Sequence, residues 1–563
     1  MADRTIRGSN CEGVEAGVQE RNRRTVKDGS FELSDKFRDL RAVRGTSLKI
    51  LMLILLSYVL LVHNLGGVAL WDPDEPRQAI VAREMVERND YIHTYLNGEP
   101  NRWKPPFYSW MIILASKVTG NIDELASKAP SAIAAGLLVL ITFFLGSHLV
   151  DTSTGFLSAM VLLTNYQFLG NARESVMDMT FAFFIGLTVF LNYLAIKKDN
   201  RWQLVLSFIP ASLAILTKGP AGLLIPACVI FIYLMVTKKV KRFTLTFACG
   251  CFFSLSLAMI WFLLAGREYI NEIILTQSFT RYVNAFDHQE NLFYYFHKLF
   301  FNFLPWSILL PFSIYHAFRQ KYWLPLIWFL FTFLFFEIST SKRAIYLLSV
   351  YPASALLCGF YIRDSWSRLV KASKTNMFLR VFAFLLVTLP LGAVVALFNL
   401  QNETVTEFRT NPSVYVYIAL IFMAGAIFLY TLVKNCEKGS LFLLFAYLIL
   451  IAISHNFCYL PIMDKAFKSP RLITDSMKDF SKGKDVFLYG DNSAGLIFYI
   501  GKPTKLLHRA EDIKKYAKTE SVLVITEDDA KYVAPYLDKF YYPIKKVNYE
   551  REAYILYVGK SGI

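Results

Sequence analysis

Cysteine is sparse in this sequence and forms no pattern. Of the seven, Cys228, Cys249, Cys251, Cys358 and Cys458 lie in or beside apolar runs, and Cys11 and Cys436 stand alone. Cys249 and Cys251 sit too close together, in too apolar a setting, for a zinc pair; packed or lipid-facing thiols are expected. No basic stripe or nucleic-acid reader motif accompanies the formal charge of +16, which argues against a nucleic-acid partner. No internal repeat divides the chain into the related halves common in transporters. A cleavable signal peptide is not expected either. Residues 1–47 read as a disordered cytoplasmic segment, polar and mixed in charge, and the apolar run behind them is long enough to span a bilayer.

What the chain has in excess is apolar surface. Hydrophobic residues make up 55% and aromatics 16%, with 48 Phe and a mean hydropathy of +0.37. That excludes a soluble α/β enzyme, a collagen or a disordered chain. Thirteen apolar runs follow one another, among them 50–70, 131–149, 202–216, 299–314, 345–361, 377–400 and 441–460. Several are shorter than the ~20 residues a perpendicular helix needs, and flanking aromatics or snorkelling Lys and Arg can extend them. The expected class is a mainly α polytopic membrane protein of about 13 spans, residues 48–460.

Charge in the connections orients the chain. Lys197-Lys198, Lys238-Lys239 with Lys241-Arg242, Arg319 with Lys321, the segment 363–374 and the segment 434–438 are basic and fall on one side. By the positive-inside pattern that side is cytoplasmic, together with the N-terminus. The opposite face receives the segments 71–130, 170–176, 217–221, 266–298, 339–344 and 401–412. It also receives the tail, 461–563, read as a small extracytoplasmic α/β domain. In the tail, 485–489, 496–500, 522–526 and 553–558 are expected as strands, and 511–518 and 528–540 as helices. Within the structured loop 71–130, residues 77–88 read as an amphipathic helix lying on the membrane, and Asn97-Gly98 as a turn.

The outer face also carries charge where orientation alone disfavours it. Trp71-Asp72-Pro73-Asp74-Glu75-Pro76 puts three carboxylates at the mouth of the first span. Such groups beside hydrocarbon need a wet cavity, a cationic partner or a chemical task. Lys104, Lys218, Lys342, Arg343 and Arg173 lie at the mouths of other runs, and Asp178 follows Arg173 closely. Displacing a lipid phosphate from an anomeric carbon builds positive character on the sugar and negative charge on the leaving group; carboxylates suit the first and Lys or Arg the second. On that chemistry Lys104, Lys218, Lys342, Arg343 and Arg173 are candidates for a donor phosphate, with Asp74 and Glu75 facing sugar or acceptor. Bland alternatives stand beside these: Glu84 pairing with Arg83 or Arg88, Arg173 neutralising Asp178 or Glu174, and Lys218 simply closing a helix end. Arg281 and His288 in the long loop are candidate substrate or metal contacts, as is Glu84.

The ordered motifs resemble a known group. Asp74-Glu-Pro-Arg-Gln-Ala-Ile-Val-Ala-Arg-Glu-Met85, Asn97-Gly-Glu-Pro-Asn-Arg-Trp-Lys-Pro-Pro106 and Thr217-Lys-Gly-Pro220 look like the aminoarabinose transferase branch of the protein O-mannosyltransferase superfamily. Ala172-Arg173 with Met177-Asp178, Tyr294-Tyr295 before Phe303-Leu304-Pro305-Trp306, and Ser341-Lys342-Arg343 before Tyr351-Pro352 are similar as well. The resemblance implies the GT-C fold and transfer of a sugar from a polyprenyl phosphate, with inversion, at the outer face of the membrane. It makes Asp74 the principal acidic residue and Asp178 the second. Where the acceptor is a hydroxyl, an Asp takes its proton; where it is a lipid A phosphate, the carboxylate only orients.

These readings combine into a glycosyltransferase of a bacterial inner membrane, acting on a lipid A-type glycolipid or another envelope acceptor. Transfer to Ser or Thr of secreted proteins is the alternative within the class. A polytopic transporter and a non-catalytic lipid-binding protein are the rivals outside it. The expected partners are a polyprenyl-phosphate sugar, a lipid or glycoprotein acceptor and membrane lipids. No cofactor is required by the sequence, and a divalent metal ion stays open.

Overall fold

Proline decides where several apolar runs break. The run 202–216 is two helices, Arg201–Leu206 and Ile209–Lys218, the second with Pro210 in its first turn. The run 299–314 is divided among Tyr294–Asn302, a 3₁₀ turn at Trp306–Ile308 and Leu310–Gln320, with Pro305 and Pro311 at the joints. The run 345–361 opens as a 3₁₀ helix, Ala344–Ser349, and becomes α-helical at Tyr351–Lys371, where Pro352 is the second residue. A proline lacks the N–H an inner turn needs but fits a first turn, so each of these prolines restarts a helix.

The computed structural model describes residues 43–285, 287–371, 384, 388, 412–434, 436–465, 469–477, 481, 484–490, 493–516, 521–549 and 552–560. The segment 1–42, the loop 401–411 and the run 377–400, apart from residues 384 and 388, lie outside the described residues. The chain divides into two units, Met1–Leu55 and Leu56–Ile563. In the first, residues 43–55 are helical; the second carries the remaining helices and the sheet.

Among the described residues six helices are long and apolar enough to cross a membrane. These are Val43–Gly67, Glu124–Leu149, Met177–Lys197, Val240–Ala265, Pro412–Val433 and Gly439–Met463. Thr152–Leu163, Ala221–Val236 and Trp323–Ile338 are shorter apolar helices. The chain is an integral membrane protein, with fewer full-length spans in the described residues than its apolar runs suggested. Caps explain the boundaries. Asp123 accepts the Ala126 N–H at 2.8 Å and starts Glu124–Leu149 ahead of Pro130, not after it. Asp151 does the same for Thr154 at the head of Thr152–Leu163. Between these two helices a Cβ at Gly155 would meet the Phe143 carbonyl oxygen, so their close approach requires glycine.

The tail folds around a five-stranded sheet of order β4-β3-β5-β7-β6. The strands are β3 (Asp485–Tyr489), β4 (Lys505–Leu507), β5 (Ser521–Thr526), β6 (Tyr541–Tyr549) and β7 (Glu552–Gly559). A two-stranded ribbon in the first loop, β1 (Tyr95–Leu96) with β2 (Glu99–Pro100), closes over the Asn97-Gly98 turn. β3 is parallel to β4 and β5, while β7 is antiparallel to β5 and β6. Residues 496–500, expected as a strand, belong to a helix, Ala494–Ile500, capped by Ser493. β4 and β6 were not anticipated; β4 has only three residues and β6 carries Pro543, Lys545 and Lys546 on a sheet edge, so neither shows a clean alternation.

The amphipathic helix of the first loop does not spend its apolar face on lipid. It runs Asp74–Glu87. Ala79 and Ile80 complete the core of the tail domain beside Leu488, Leu496 and Val524. Val81, Ala82 and Met85 pack on Tyr108 and Ile112 of the helix Phe107–Thr119. Each fully buried Ile or Met side chain stabilises the arrangement by roughly 1.5–3 kcal/mol.

Orientation across the membrane is open to a direct test. In a cysteine-free background, Glu290→Cys and Lys531→Cys should react with an impermeant maleimide from outside intact spheroplasts. Lys239→Cys should react only after permeabilisation. The reversed pattern would place the basic connections outside.

Candidate active site

Two helix starts and one helix end face each other. Asp74 and Asp178 occupy the first turns of Asp74–Glu87 and Met177–Lys197, where the helix N-terminus favours negative charge. Lys218 is the last residue of Ile209–Lys218, where positive charge is favoured. Gly219, at φ +103° and ψ −164°, takes a conformation closed to L side chains and turns the chain into Ala221–Val236. That turn leaves Lys218 at the mouth of the bundle, donating to Asp178. Arg343, from the connection after Trp323–Ile338, donates to Asp74, and Arg77 lies 3.8 Å from the same carboxylate.

Around these pairs lies a cavity of about 490 Å³, lined among others by Asp74, Arg77, Lys104, Asp178, Lys218, Gln277, Arg281, His288, Arg343 and Tyr346. Its walls therefore come from five of the segments that the charge pattern assigned to one face. The Lys218 ammonium lies 3.8 Å from the centre of the Tyr346 ring. Arg281 donates to Asp287 at 2.8 Å and to Ser341 at 3.2 Å. A second cavity of about 500 Å³ shares Lys104, Lys218, Gln277, Arg281 and Tyr346 with the first and is otherwise mainly apolar, walled by Phe181, Leu224, Ile274, Phe279, Tyr282, Phe335 and Phe336. The two spaces meet at the cations.

Lys104 differs from its neighbours. Among the described residues its amine has no hydrogen-bond or ion-pair partner. Burial, with Lys218 and Arg281 close by, pushes its pKa down to about 7. It is a cationic position that an anion would complete.

Four residues singled out in the sequence stand elsewhere. Glu75, one position from Asp74, turns inward, accepts the Trp71 N–H at 3.3 Å and lies 3.5 Å from Lys128. Burial pushes its carboxyl up to about 7, with Lys128 opposing the rise and Glu174 adding to it. Arg173 is spent on the carbonyls of Leu60, His63 and Asn64, at 3.0–3.3 Å, away from the phosphate cations. Both Glu75 and Arg173 line a separate polar cavity of about 330 Å³. Lys342 is buried and donates to the Ser339 carbonyl at 2.6 Å. Glu84 is buried too, accepting the Gly98 N–H at 3.0 Å with Arg88 at 3.7 Å; it holds the β1–β2 turn. Glu84 therefore does not meet the exposed His288, and no three His, Cys, Asp or Glu side chains among the described residues are grouped to hold a metal.

Sequence reasoning passed over Arg77, Gln277 and Tyr346. Arg77 and Tyr346 lie within or beside quoted motifs, so their neighbours were the signal. Gln277 lies in a π-helical stretch, Asn271–Thr280, that no periodicity announces.

Three comparisons bear on this architecture. A family model described as dolichyl-phosphate-mannose-protein mannosyltransferase matches residues 103–263. An uncharacterised protein of Aquifex aeolicus is 30% identical over 332 residues, covering 57% of this chain and 66% of that one. The undecaprenyl phosphate-alpha-4-amino-4-deoxy-L-arabinose arabinosyl transferase of Yersinia pestis is 24% identical over 376 residues, 63% of this chain and 66% of the relative. The aligned chain thus spans just under two thirds, 66%, of the length of the curated relatives it matches. The crystal structure of ArnT from Cupriavidus metallidurans bound to undecaprenyl phosphate superposes with a TM-score of 0.75 at 20% identity, over 90% of this chain and 97% of that one. Its apo form gives 0.73 at 19% identity, over 93% and 100%. The resemblance read from the motifs stands: this is a GT-C-fold membrane protein similar to the aminoarabinose transferases of the protein O-mannosyltransferase superfamily.

Proposed function

We propose that the protein is a membrane glycosyltransferase, moving a sugar with inversion from a polyprenyl phosphate to a lipid A-type glycolipid or another envelope acceptor at the outer face of the inner membrane. One observation carries this reading: a cavity holding Asp74 and Asp178 opens, across a shared set of cations, onto an apolar groove of similar size. A polyprenyl-phosphate sugar has that same order of parts. Its chain suits the groove, its phosphate the cations, and its sugar the cavity. The relatives, which concern undecaprenyl phosphate and dolichyl-phosphate mannose, support the donor class.

The chemistry follows from the charges. Asp74 and Asp178 pair with Arg343 and Lys218. A donor phosphate over Lys104, Lys218, Arg281 and Arg343 competes with the aspartates for Lys218 and Arg343, and its negative charge grows as the C1–O bond breaks. The leaving group departs as a stable anion, so a general acid is unnecessary. Asp74 then faces the sugar or the incoming nucleophile. With an ionised phosphate acceptor it orients groups and supports positive character at C1; with a hydroxyl acceptor it takes the proton. The match to a protein mannosyltransferase family over 103–263 keeps the hydroxyl acceptor as the second reading. Mass spectrometry of envelope lipids and glycoproteins from a deletion strain separates the two.

Asp74→Asn should abolish transfer by the purified protein while leaving insertion and folding intact; wild-type turnover would remove Asp74 from the mechanism. Lys104→Met, Lys218→Met and Arg343→Met should each lose a charged hydrogen bond to the phosphate, roughly 1.5–3 kcal/mol or about ten- to more than hundredfold in rate. The exposed Lys531→Met should change little. Near-wild-type turnover in all three cationic variants would mean the phosphate is held elsewhere.

Donor affinity should also depend on pH through Lys104. Its free pKa is pushed down to about 7 by burial and neighbouring cations, and a bound phosphodiester raises it. Affinity is therefore full below that pH and falls as pH rises above it, by at most about tenfold per pH unit. The phosphodiester itself does not titrate in this range. Lys104→Arg should flatten the profile. A flat profile in the wild-type protein would show that Lys104 does not hold the phosphate.

A further inference from the structure

Residues 69–72, just ahead of Pro73 and the Asp74 helix, are gripped one after another by the tail. Asp464 accepts the Ala69 N–H and the Trp71 indole N–H, both at 3.1 Å. The Tyr499 hydroxyl accepts the Leu70 N–H at 2.9 Å and donates to Glu124 at 2.8 Å. Asp72 accepts from the Ser493 hydroxyl and from the Gly495 N–H, the latter at 2.8 Å. A Cβ at Gly495 would sit 2.6 Å from the Asp72 carboxylate and equally close to Pro470, so the contact leaves no room for a larger residue. On the far side of Asp74, Arg83 donates to the Phe498 carbonyl at 2.8 Å. The same short helix, Ala494–Ile500, thus touches the chain on both sides of the carboxylate that faces the cavity.

We infer that this part of the tail is a positioning device for Asp74, with Asp72 as its principal positioning residue. The inference rests on the glycosyl-transfer reading of the cavity. The chain leading to Asp74 is held at Ala69 and Leu70, where Asp464 and Tyr499 take the main-chain N–H groups, and the helix that follows is held by packing. Asp72 closes the remaining freedom two residues before it. Neither Asp72, Tyr499 nor Ser493 lines the cavity, so each acts through the backbone and not on substrate. A displacement of a reacting group by about 1 Å is enough to slow a reaction by about a hundredfold. Loosening the grip should therefore lower turnover without changing how the donor is held by Lys104 and Arg281.

The test uses the full-length protein and five substitutions, Asp72→Asn, Tyr499→Phe, Ser493→Ala, Ser493→Thr and Gly495→Ala. Turnover with a polyprenyl-phosphate sugar should fall about ten- to hundredfold in Asp72→Asn and Gly495→Ala, with the donor KM unchanged. Ser493→Thr, which keeps the hydroxyl, should stay near wild type where Ser493→Ala does not. Amide exchange followed by mass spectrometry should quicken in the peptide covering residues 69–80 and stay unchanged in β5. Unchanged exchange and turnover in every variant overturns the proposal, and so does faster exchange through β5, because the tail has then simply unfolded. If the wild-type protein transfers no sugar while the exchange pattern is as expected, the grip stands and the glycosyl-transfer reading falls.

Discussion

Charge beside hydrocarbon has to be compensated, and here the compensation is drawn from segments far apart in the chain. The Asp74–Arg343 and Asp178–Lys218 pairs join the first outer loop, the helix Met177–Lys197, the end of Ile209–Lys218 and the connection after Trp323–Ile338. A carboxylate or a cation left alone at such a depth would cost several kcal/mol, so each segment is tied to the place of its partner. Proline breaks, the Gly219 reversal and the caps bring the segments to the same level. The pairs then fix how they meet. Lys104 is left outside this accounting, and an anion from outside the chain is what would balance it.

How much of this was legible depended on the kind of question. The membrane class, the gathering of these segments at one face and the Asp74, Asp178, Lys104, Lys218 and Arg343 set could be read from charges at the ends of apolar runs. Which of two neighbours faces the cavity could not. Asp74 and Glu75 are adjacent on a helix, about a quarter-turn apart, and only the first reaches the cavity. Lys342 and Arg343 are adjacent near extended backbone, Arg343 at φ −133° and ψ 134°, so their side chains part to opposite sides. A motif names the pair; the local backbone chooses the member.

The helix Asp74–Glu87 shows a different limit. Its apolar face was visible, but the material covering that face was not, because lipid and a protein core select the same side chains. The structure covers it with the tail sheet and with Tyr108 and Ile112. Likewise 496–500 is apolar and short, a pattern that fits strand or helix, and Ser493 as a cap decided for the helix. Errors of this kind cluster where the tail meets the first loop, the place where long-range packing outweighs local preference.

The meeting of the charged cavity with the apolar groove bears on which anions gain entry. A soluble phosphate or nucleotide must draw Arg343 or Lys218 away from an aspartate using its headgroup alone, at bulk concentration. A lipid-linked phosphate arrives already confined to the leaflet, and its chain and headgroup engage as two tethered modules. On the proposed reading, the internal ion pairs would act as a threshold that soluble phosphates fail and membrane lipids pass. Selectivity for a lipid carrier would then reside less in any contact to the carrier than in the competition that Asp74 and Asp178 offer to everything else.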